Sequence, residues 1–230
     1  MKICIITDER SGGTVFTGCF SCTSLKVLHD PQTDSQSRFN RDFKTIKQLL
    51  DFSFSYADVV KLCYHSFKVE KYRKILNYCI NHNIHMVFLH REDIYKRSLS
   101  KCVALNLHNY GIYNENKDTQ PFNVDKSVYQ QNLNHYNSHI QEHVSYLNKA
   151  KHPYYFIVYE ELYSNDELIV KLFESLGLTI QNESKLKELL NKDYKTEKKN
   201  KLILNMEEIE SINKTFAKPK FELTYQIKLK

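Results

Sequence analysis

The segment Arg10-Ser11-Gly12-Gly13-Thr14 combines residue types that bind anions. Its two glycines let backbone N–H groups approach a ligand closely, Thr14 adds a hydroxyl, and Arg10 adds a charge-assisted hydrogen bond. The segment lies between an apolar run at residues 2–7 and a helical pattern, so the positive end of a helix would face the same ligand. We predict a phosphate-binding turn, with a tight turn that binds nothing as the alternative. The lysine of a Walker A loop is absent.

A candidate general base comes from a second predicted strand, at residues 58–65. Lys61, Cys63 and His65 alternate along it, so the two-residue period of a strand places them on one face, with His65 at the carboxyl end. Histidine titrates near neutral pH and can accept the proton of a hydroxyl group. His65 is therefore our candidate catalytic base. A partly buried histidine at a strand end is the alternative interpretation.

A second candidate anion ligand follows a third predicted strand, at residues 84–89. Arg91 comes directly after that strand region, and Ser100 lies nine residues further along the chain, in a predicted helix. The two side chains could converge on one anion through the long reach of Arg91. An exposed helix start with a capping charge is the alternative.

Histidine and cysteine spacings give weaker signals for a metal. His135, His139 and His143 recur every four residues and share one face of a predicted helix. A zinc site would need a fourth ligand, so a polar face or the lining of an acceptor pocket is the preferred interpretation. Cys19 and Cys22 are expected to face the core, because no second cysteine pair follows them. We predict no metal site.

These residues need a scaffold that brings strand ends together, and the hydrophobic pattern predicts one. Strands at residues 2–7, 58–65, 84–89 and 154–159 alternate with helices at 14–29, 69–81, 92–110, 126–149 and 166–176, the last closed by Gly177. This alternation predicts an α/β fold, a parallel sheet flanked by helices, with ligands at the carboxyl ends of the strands. Residues 1–180 form the predicted core, and residues 181–230 a helical, basic extension that packs on it within a single domain.

Composition narrows the class of protein. The chain has 230 residues, a hydrophobic fraction of 41% and a mean hydropathy of −0.54, which argue against disorder and against membrane insertion. Six cysteines, without the density of a disulfide scaffold, predict reduced thiols and a cytoplasmic location. The formal charge of +6 is too dilute to predict a nucleic-acid partner without a nucleic-acid motif.

Together the motifs resemble the sulfotransferase family, whose sulfuryl donor is 3'-phosphoadenosine 5'-phosphosulfate (PAPS). The family's loop reads Lys/Arg-Ser-Gly-Ser/Thr-Thr, and residues 10–14 stand in its place. The likeness is greatest to the bacterial trehalose sulfotransferase branch. Arg91, Asp93, Ser100 and Ala104 match its second motif, and Gly111-Ile112-Tyr113 stands where the branch has Gly-x-Trp. The family's later Tyr-Glu-Asp/Glu-Leu landmark appears as Tyr159-Glu160-Glu161-Leu162.

This resemblance implies a P-loop-like three-layer architecture and the transfer of a sulfuryl group from PAPS to a hydroxyl acceptor, such as a carbohydrate, without a metal. It implies that the loop from Arg10 to Thr14 binds the 5'-phosphosulfate, with Arg10 also catalytic, and that Arg91 and Ser100 bind the 3'-phosphate. Cytosolic members keep a catalytic histidine in the region of His65. The resemblance to the trehalose-type branch implies that a carboxylate from the polar region at residues 30–45 could be the general base instead, and Asp30 and Asp34 are the candidates.

The chain departs from the family pattern at three places. Gly13 replaces the first hydroxyl residue of the loop, and Val15 stands where cytosolic members carry a tryptophan near the adenine. The glycine-rich phosphate motif near the carboxyl terminus is missing. Three lysines could replace it, or could form a solvated run: Lys195, Lys198 and Lys199.

Two other functions are compatible with parts of the sequence. A nucleotide or small-molecule kinase with a divergent phosphate loop is the main alternative, although the loop lysine and a clear metal-binding carboxylate are absent. A non-catalytic module that binds nucleic acid through basic side chains is the other. The acceptor is expected to be selected by loops at residues 30–45 and 113–126.

Overall fold

Five strands form one parallel sheet in a computed structural model of the chain, which describes residues 1–31, 43–63, 69–106, 120–191, 203–218 and 222–229. The strands are β1 (Ile3–Thr7), β2 (Val27–His29), β3 (Val59–Cys63), β4 (His85–His90) and β5 (Tyr155–Val158). They lie in the order β2-β3-β1-β4-β5, and every pairing is parallel. With helices on its flanks, this sheet confirms the predicted α/β class.

Helices connect the strands and continue beyond them. They are α1 (Gly13–Cys19), α2 (Ile46–Tyr56), α3 (Val69–Asn81), α4 (Ile94–Asn106), α5 (Lys126–Ala150), α6 (Tyr159–Ser164), α7 (Glu167–Ser175), α8 (Glu183–Asn191) and α9 (Met206–Thr215). The predicted stop of α7 is confirmed, because Gly177 has a φ of 67° and its N–H donates to the Glu174 carbonyl at 2.9 Å. Thr45 caps α2 by accepting a hydrogen bond from the Gln48 N–H.

The predicted helix over residues 14–29 is wrong in its second half. After α1 the chain makes a short 3₁₀ turn, Phe20–Cys22, and then enters β2. Thr23 explains the break, because its hydroxyl donates to the Phe20 carbonyl at 2.7 Å and accepts from the Leu25 N–H. These local bonds compete with helical ones and turn the chain towards the edge of the sheet. Helices α2 and α6 were not predicted from the sequence.

The chain divides into two compact units. The first contains Met1–Glu92, Leu147–Lys192 and Thr224–Lys230, and so holds the whole sheet. Its carboxyl-terminal segment runs beside the start of β5, where the Ile227 N–H donates to the Tyr154 carbonyl at 2.7 Å. The second contains Asp93–Tyr146 and Asp193–Leu223. The domain boundary expected at residue 180 stays a prediction.

Each unit has its own apolar core. In the first, Cys19 and Cys22 join Ile5, Phe16 and Phe173 in one buried cluster, which confirms that both cysteines face the core. In the second, a separate cluster comprises Ile94, Leu99, Cys102, Val103, Val124, Tyr129, Leu133, Ile203 and Ile209. Among the described residues, no helix is both long enough and apolar enough to cross a membrane.

Candidate functional site

The carboxyl ends of four strands meet at one edge of the sheet, which we call the carboxyl edge. Thr7 at the end of β1 lies opposite Cys63 of β3 and Leu89 of β4, and His29 at the end of β2 lies opposite Lys61. The residues that follow these strand ends are therefore brought to the same edge. They include the glycine loop (residues 8–13), Asp30 and Arg91. Ligands of open parallel sheets bind at such an edge.

The glycine loop has an unusual backbone at two positions. Arg10 has a φ of 60° and Gly12 a φ of 69°, both in the left-handed region. The Gly12 carbonyl then accepts a hydrogen bond from the Phe16 N–H at 3.0 Å, which begins α1. Ser11 between them is fully buried, and its hydroxyl has no hydrogen-bond partner among the described residues. A buried hydroxyl without a partner is a group that a bound anion could satisfy.

Neighbouring side chains explain why both loop glycines are needed. A Cβ atom at Gly12 would lie 2.5 Å from Cε2 of Tyr159, and one at Gly13 would lie 2.6 Å from Cγ2 of Thr7. Those distances are far below van der Waals contact. The glycine at position 13, where the resemblance leads one to expect a hydroxyl residue, is therefore required by the packing of Thr7 against the loop.

Arg91 ties the end of β4 to the glycine loop. Its Nη1 donates to the Arg10 carbonyl at 3.0 Å, and its guanidinium lies 4.8 Å from the centre of the Tyr159 ring. Its Nε lies 3.8 Å from the Glu160 carboxylate, which also accepts the Glu92 N–H at 3.0 Å. Only 8% of Arg91 is exposed. The arginine thus holds the conformation of the loop while leaving several of its five N–H donors for other partners.

Lys61 reaches the other side of the loop from β3. Its Nζ lies 2.5 Å from the Asp30 carboxylate and donates to the Thr14 hydroxyl at 3.3 Å. The Asp30 N–H in turn donates to the Lys61 carbonyl at 3.0 Å. The lysine therefore connects the end of β2 with the first turn of α1. Cations from three elements, Arg10, Lys61 and Arg91, lie at the carboxyl edge.

Burial and nearby carboxylates control the protonation of Cys63. Burial raises the pKa of its thiol well above the usual value, and the carboxylates of Asp8, Asp30 and Glu9 raise the pKa further, while Lys61 opposes them. The thiol is thus neutral at physiological pH, and Cys63 is unsuited to act as a thiolate nucleophile. Negative as well as positive groups therefore surround this edge.

Tyr159 at the start of α6 stays protonated for a similar reason. Burial raises the pKa of its hydroxyl, and Arg91 acts against that shift. The tyrosine belongs to the Tyr-Glu-Glu-Leu landmark noted in the sequence, and its ring packs under Gly12. Its contribution to the site is packing and cation–π contact with Arg91 rather than proton transfer.

The predicted site residues that the structure describes belong to two different units of the chain. Arg10 through Thr14 and Arg91 meet at the carboxyl edge of the first unit, whereas Ser100 lies buried in α4, in the second unit. The pairing of Arg91 with Ser100 stays a prediction. The remaining candidates lie outside the described residues: His65, Asp34, Gly111, Ile112, Tyr113, Lys195, Lys198 and Lys199.

The contact between Lys61 and Asp30 was missed from the sequence. A lysine inside an otherwise apolar strand is the signal that could have found it, because a buried ammonium group needs an anionic partner.

The rings of His135, His139 and His143 follow one another along α5, with centres 3.8 and 5.8 Å apart. Across the ranges that the structure describes, no group of three or more histidine, cysteine or acidic residues could hold a metal ion.

No protein-family model matches the chain, and no curated protein matches it.

Proposed function

We propose that this chain is a sulfotransferase with a P-loop-like architecture, which transfers a sulfuryl group from PAPS to a hydroxyl acceptor, with a carbohydrate among the candidates. The observation that carries the proposal is the glycine loop itself. Its left-handed residues Arg10 and Gly12 shape a turn at the carboxyl edge, flanked by the cations Lys61 and Arg91. This combination supports binding of a ligand with several negative charges, and a loop without the Walker A lysine fits a donor other than ATP.

The residues of the loop would have separate tasks in such a transfer. The loop N–H groups and the Thr14 hydroxyl would bind the 5'-phosphate, and the Arg10 guanidinium would stabilise charge that develops on the oxygen between phosphorus and sulfur. PAPS itself supplies a sulfuryl group that is transferred by in-line displacement, by analogy with phosphoryl transfer. Asp30, which lies at the same edge, is one candidate for the general base that accepts the proton of the acceptor hydroxyl. His65, outside the described residues, is the other candidate.

A kinase is the second candidate, and one observation favours it. Asp8 of the glycine loop and Asp30 both raise the pKa of Cys63, so two carboxylates lie close to this thiol at the carboxyl edge. Carboxylates at such a position bind the Mg²⁺ ion that accompanies ATP.

The buried free cysteines Cys4, Cys63, Cys79 and Cys102 are consistent with the cytoplasmic location that we propose for either enzyme.

Thermal unfolding with two ligands distinguishes these enzymes. We expect 3'-phosphoadenosine 5'-phosphate to raise the midpoint without any metal, because a ligand at 100 times its dissociation constant stabilises the folded state by ~2.7 kcal/mol. ATP with magnesium at the same concentration should have little effect. A shift with ATP and magnesium alone would favour the kinase. Steeply salt-dependent binding of an oligonucleotide would instead favour a nucleic-acid module.

Arg91→Ala should discriminate between nucleotides that differ only at the 3' position. We expect the affinity for 3'-phosphoadenosine 5'-phosphate to fall about tenfold or more beyond any loss for its 3'-dephospho analogue, since an arginine–phosphate hydrogen bond is worth about 1.5–3 kcal/mol. Calorimetric titration of both nucleotides measures the difference. Glu160→Gln, which removes the neighbouring charge but keeps Arg91, is the matched control. Equal losses for the two nucleotides would limit Arg91 to supporting the loop.

A further inference from the structure

We propose that Lys61 is an anion-binding residue of the carboxyl edge, and that Asp30 is an internal anion which occupies its ammonium group until a ligand's phosphate or sulfate group replaces it. The identity of the ligand rests on the function proposed above. The exchange itself rests on the geometry of three residues, Lys61, Asp30 and Thr14.

The ammonium group of Lys61 is buried at a position where it requires an anionic partner. It lies on β3, with β1 on one side and β2 on the other, and only 7% of its side chain is exposed. A charged ammonium group at such a depth must be paired, because taking it out of water costs several kcal/mol. Its Nζ also donates to Thr14, a residue of the predicted phosphate-binding turn. The charge of Lys61 is therefore fixed beside the turn.

Asp30 is the partner that can leave. A quarter of its side chain is exposed, 25% against 7% for Lys61, so its carboxylate can rotate into water while the lysine cannot. Its backbone is held independently, because its N–H donates to the Lys61 carbonyl at 3.0 Å. Exchange of partners thus needs a rotation of the Asp30 side chain, while its backbone stays bound to β3.

An anion that binds at the turn competes with Asp30 for the positive charge of Lys61. An ammonium group has three N–H donors, and Thr14 and Asp30 use two of them. The carboxylates of Asp8 and Glu9 also lie close enough to affect Cys63, two residues beyond Lys61 on the same strand. A ligand with a phosphate or sulfate group is therefore repelled by these carboxylates while it is attracted by the cations of the carboxyl edge. Removal of the Asp30 charge should make binding tighter, and removal of the Lys61 charge should make it weaker.

The test measures the affinities of inorganic sulfate, pyrophosphate and 3'-phosphoadenosine 5'-phosphate by calorimetry. We expect Asp30→Asn to raise the affinity for each anion at least threefold and Lys61→Met to lower it about tenfold or more. The gain from Asp30→Asn should vanish in the Lys61→Met background, because Asp30 acts through the lysine. Thermal unfolding checks that each variant is folded, and Asp30→Asn provides a test if Lys61→Met does not fold.

A matched ion pair at the opposite edge of the sheet serves as the control. Lys2 and Asp58 lie 3.3 Å apart, next to the amino ends of β1 and β3. Lys2→Met and Asp58→Asn should leave all three affinities unchanged. Weaker or unchanged anion binding in Asp30→Asn would overturn the proposal.

The outcomes separate this proposal from the proposed function. If sulfate and pyrophosphate respond as expected while 3'-phosphoadenosine 5'-phosphate does not bind, the exchange is supported and the sulfotransferase is rejected. If the nucleotide binds the parent protein and both variants equally, the exchange is rejected and the sulfotransferase stands. If no anion binds the parent protein or Asp30→Asn, both are rejected.

Discussion

Replacing Gly12 by alanine is expected to destabilise the first unit by about 2–5 kcal/mol and to abolish nucleotide binding. A left-handed φ costs a residue with a Cβ atom about 1–2 kcal/mol, and Gly12 has a φ of 69°. The new methyl group would also lie 2.5 Å from Cε2 of Tyr159. Overpacking of this kind costs a further 1–3 kcal/mol or so. Denaturant unfolding, followed at equilibrium, measures the total.

Two other glycines separate these causes. Gly177 has a φ of 67°, and no atom of the described residues lies within 4 Å of its added Cβ, so Gly177→Ala should show the backbone cost alone. Gly18 lies within α1, where its added Cβ would meet Leu189 at an ordinary contact distance of 3.8 Å, so Gly18→Ala should be neutral or stabilising. In a Tyr159→Ala background, Gly12→Ala should cost less stability than it does in the parent protein, because the clashing ring is already absent. Similar losses for Gly12→Ala and Gly177→Ala would show that contact with Tyr159 is unimportant.

Arg10→Ala is expected to lower kcat by about a hundredfold to a thousandfold, the usual effect of removing one group that stabilises developing charge. The affinity for the product nucleotide should fall less than tenfold, because the loop N–H groups still bind its phosphate. Release of 3'-phosphoadenosine 5'-phosphate, measured with the best hydroxyl acceptor from a carbohydrate screen, gives kcat.

The backbone of Arg10 makes this substitution informative. Its φ of 60° is equally strained for arginine and alanine, since both carry a Cβ atom. The carbonyl that Arg91 contacts is also retained. Arg73→Ala, on the exposed face of α3, is the control for loss of one arginine. A near-normal kcat in Arg10→Ala would remove Arg10 from the catalytic residues.

Much of the fold could be predicted because its central elements carry strong local patterns. The apolar runs of β1, β3 and β4 are buried along nearly their whole length, as expected for strands covered on both faces. The predicted bounds of α3 match the structure, because its polar and apolar residues alternate with helical period. By contrast, β2 has three residues and pairs on one side only, so its sequence carries little signal.

Only those parts of the site that lie within one continuous segment of sequence could be predicted. The glycine loop and Arg91 could be identified because each has a distinctive local sequence beside a strand. The contact of Lys61 with Asp30 depends on the register between β2 and β3, and the need for glycine at position 12 depends on a tyrosine from α6. Neither long-range contact has a counterpart in local periodicity.

The division of the first unit into separated stretches of chain has a consequence for the rate of folding. Strand β4 pairs with β5 only after residues 93–146 have been spanned, and Thr224–Lys230 joins the same unit from still further along the chain. Each closure costs entropy before any contact compensates for it. Folding rates fall as the sequence separation of contacting residues grows. The slow step for this unit is therefore expected to be the docking of β5 and the carboxyl-terminal segment onto a sheet whose β1, β3 and β4 have already formed.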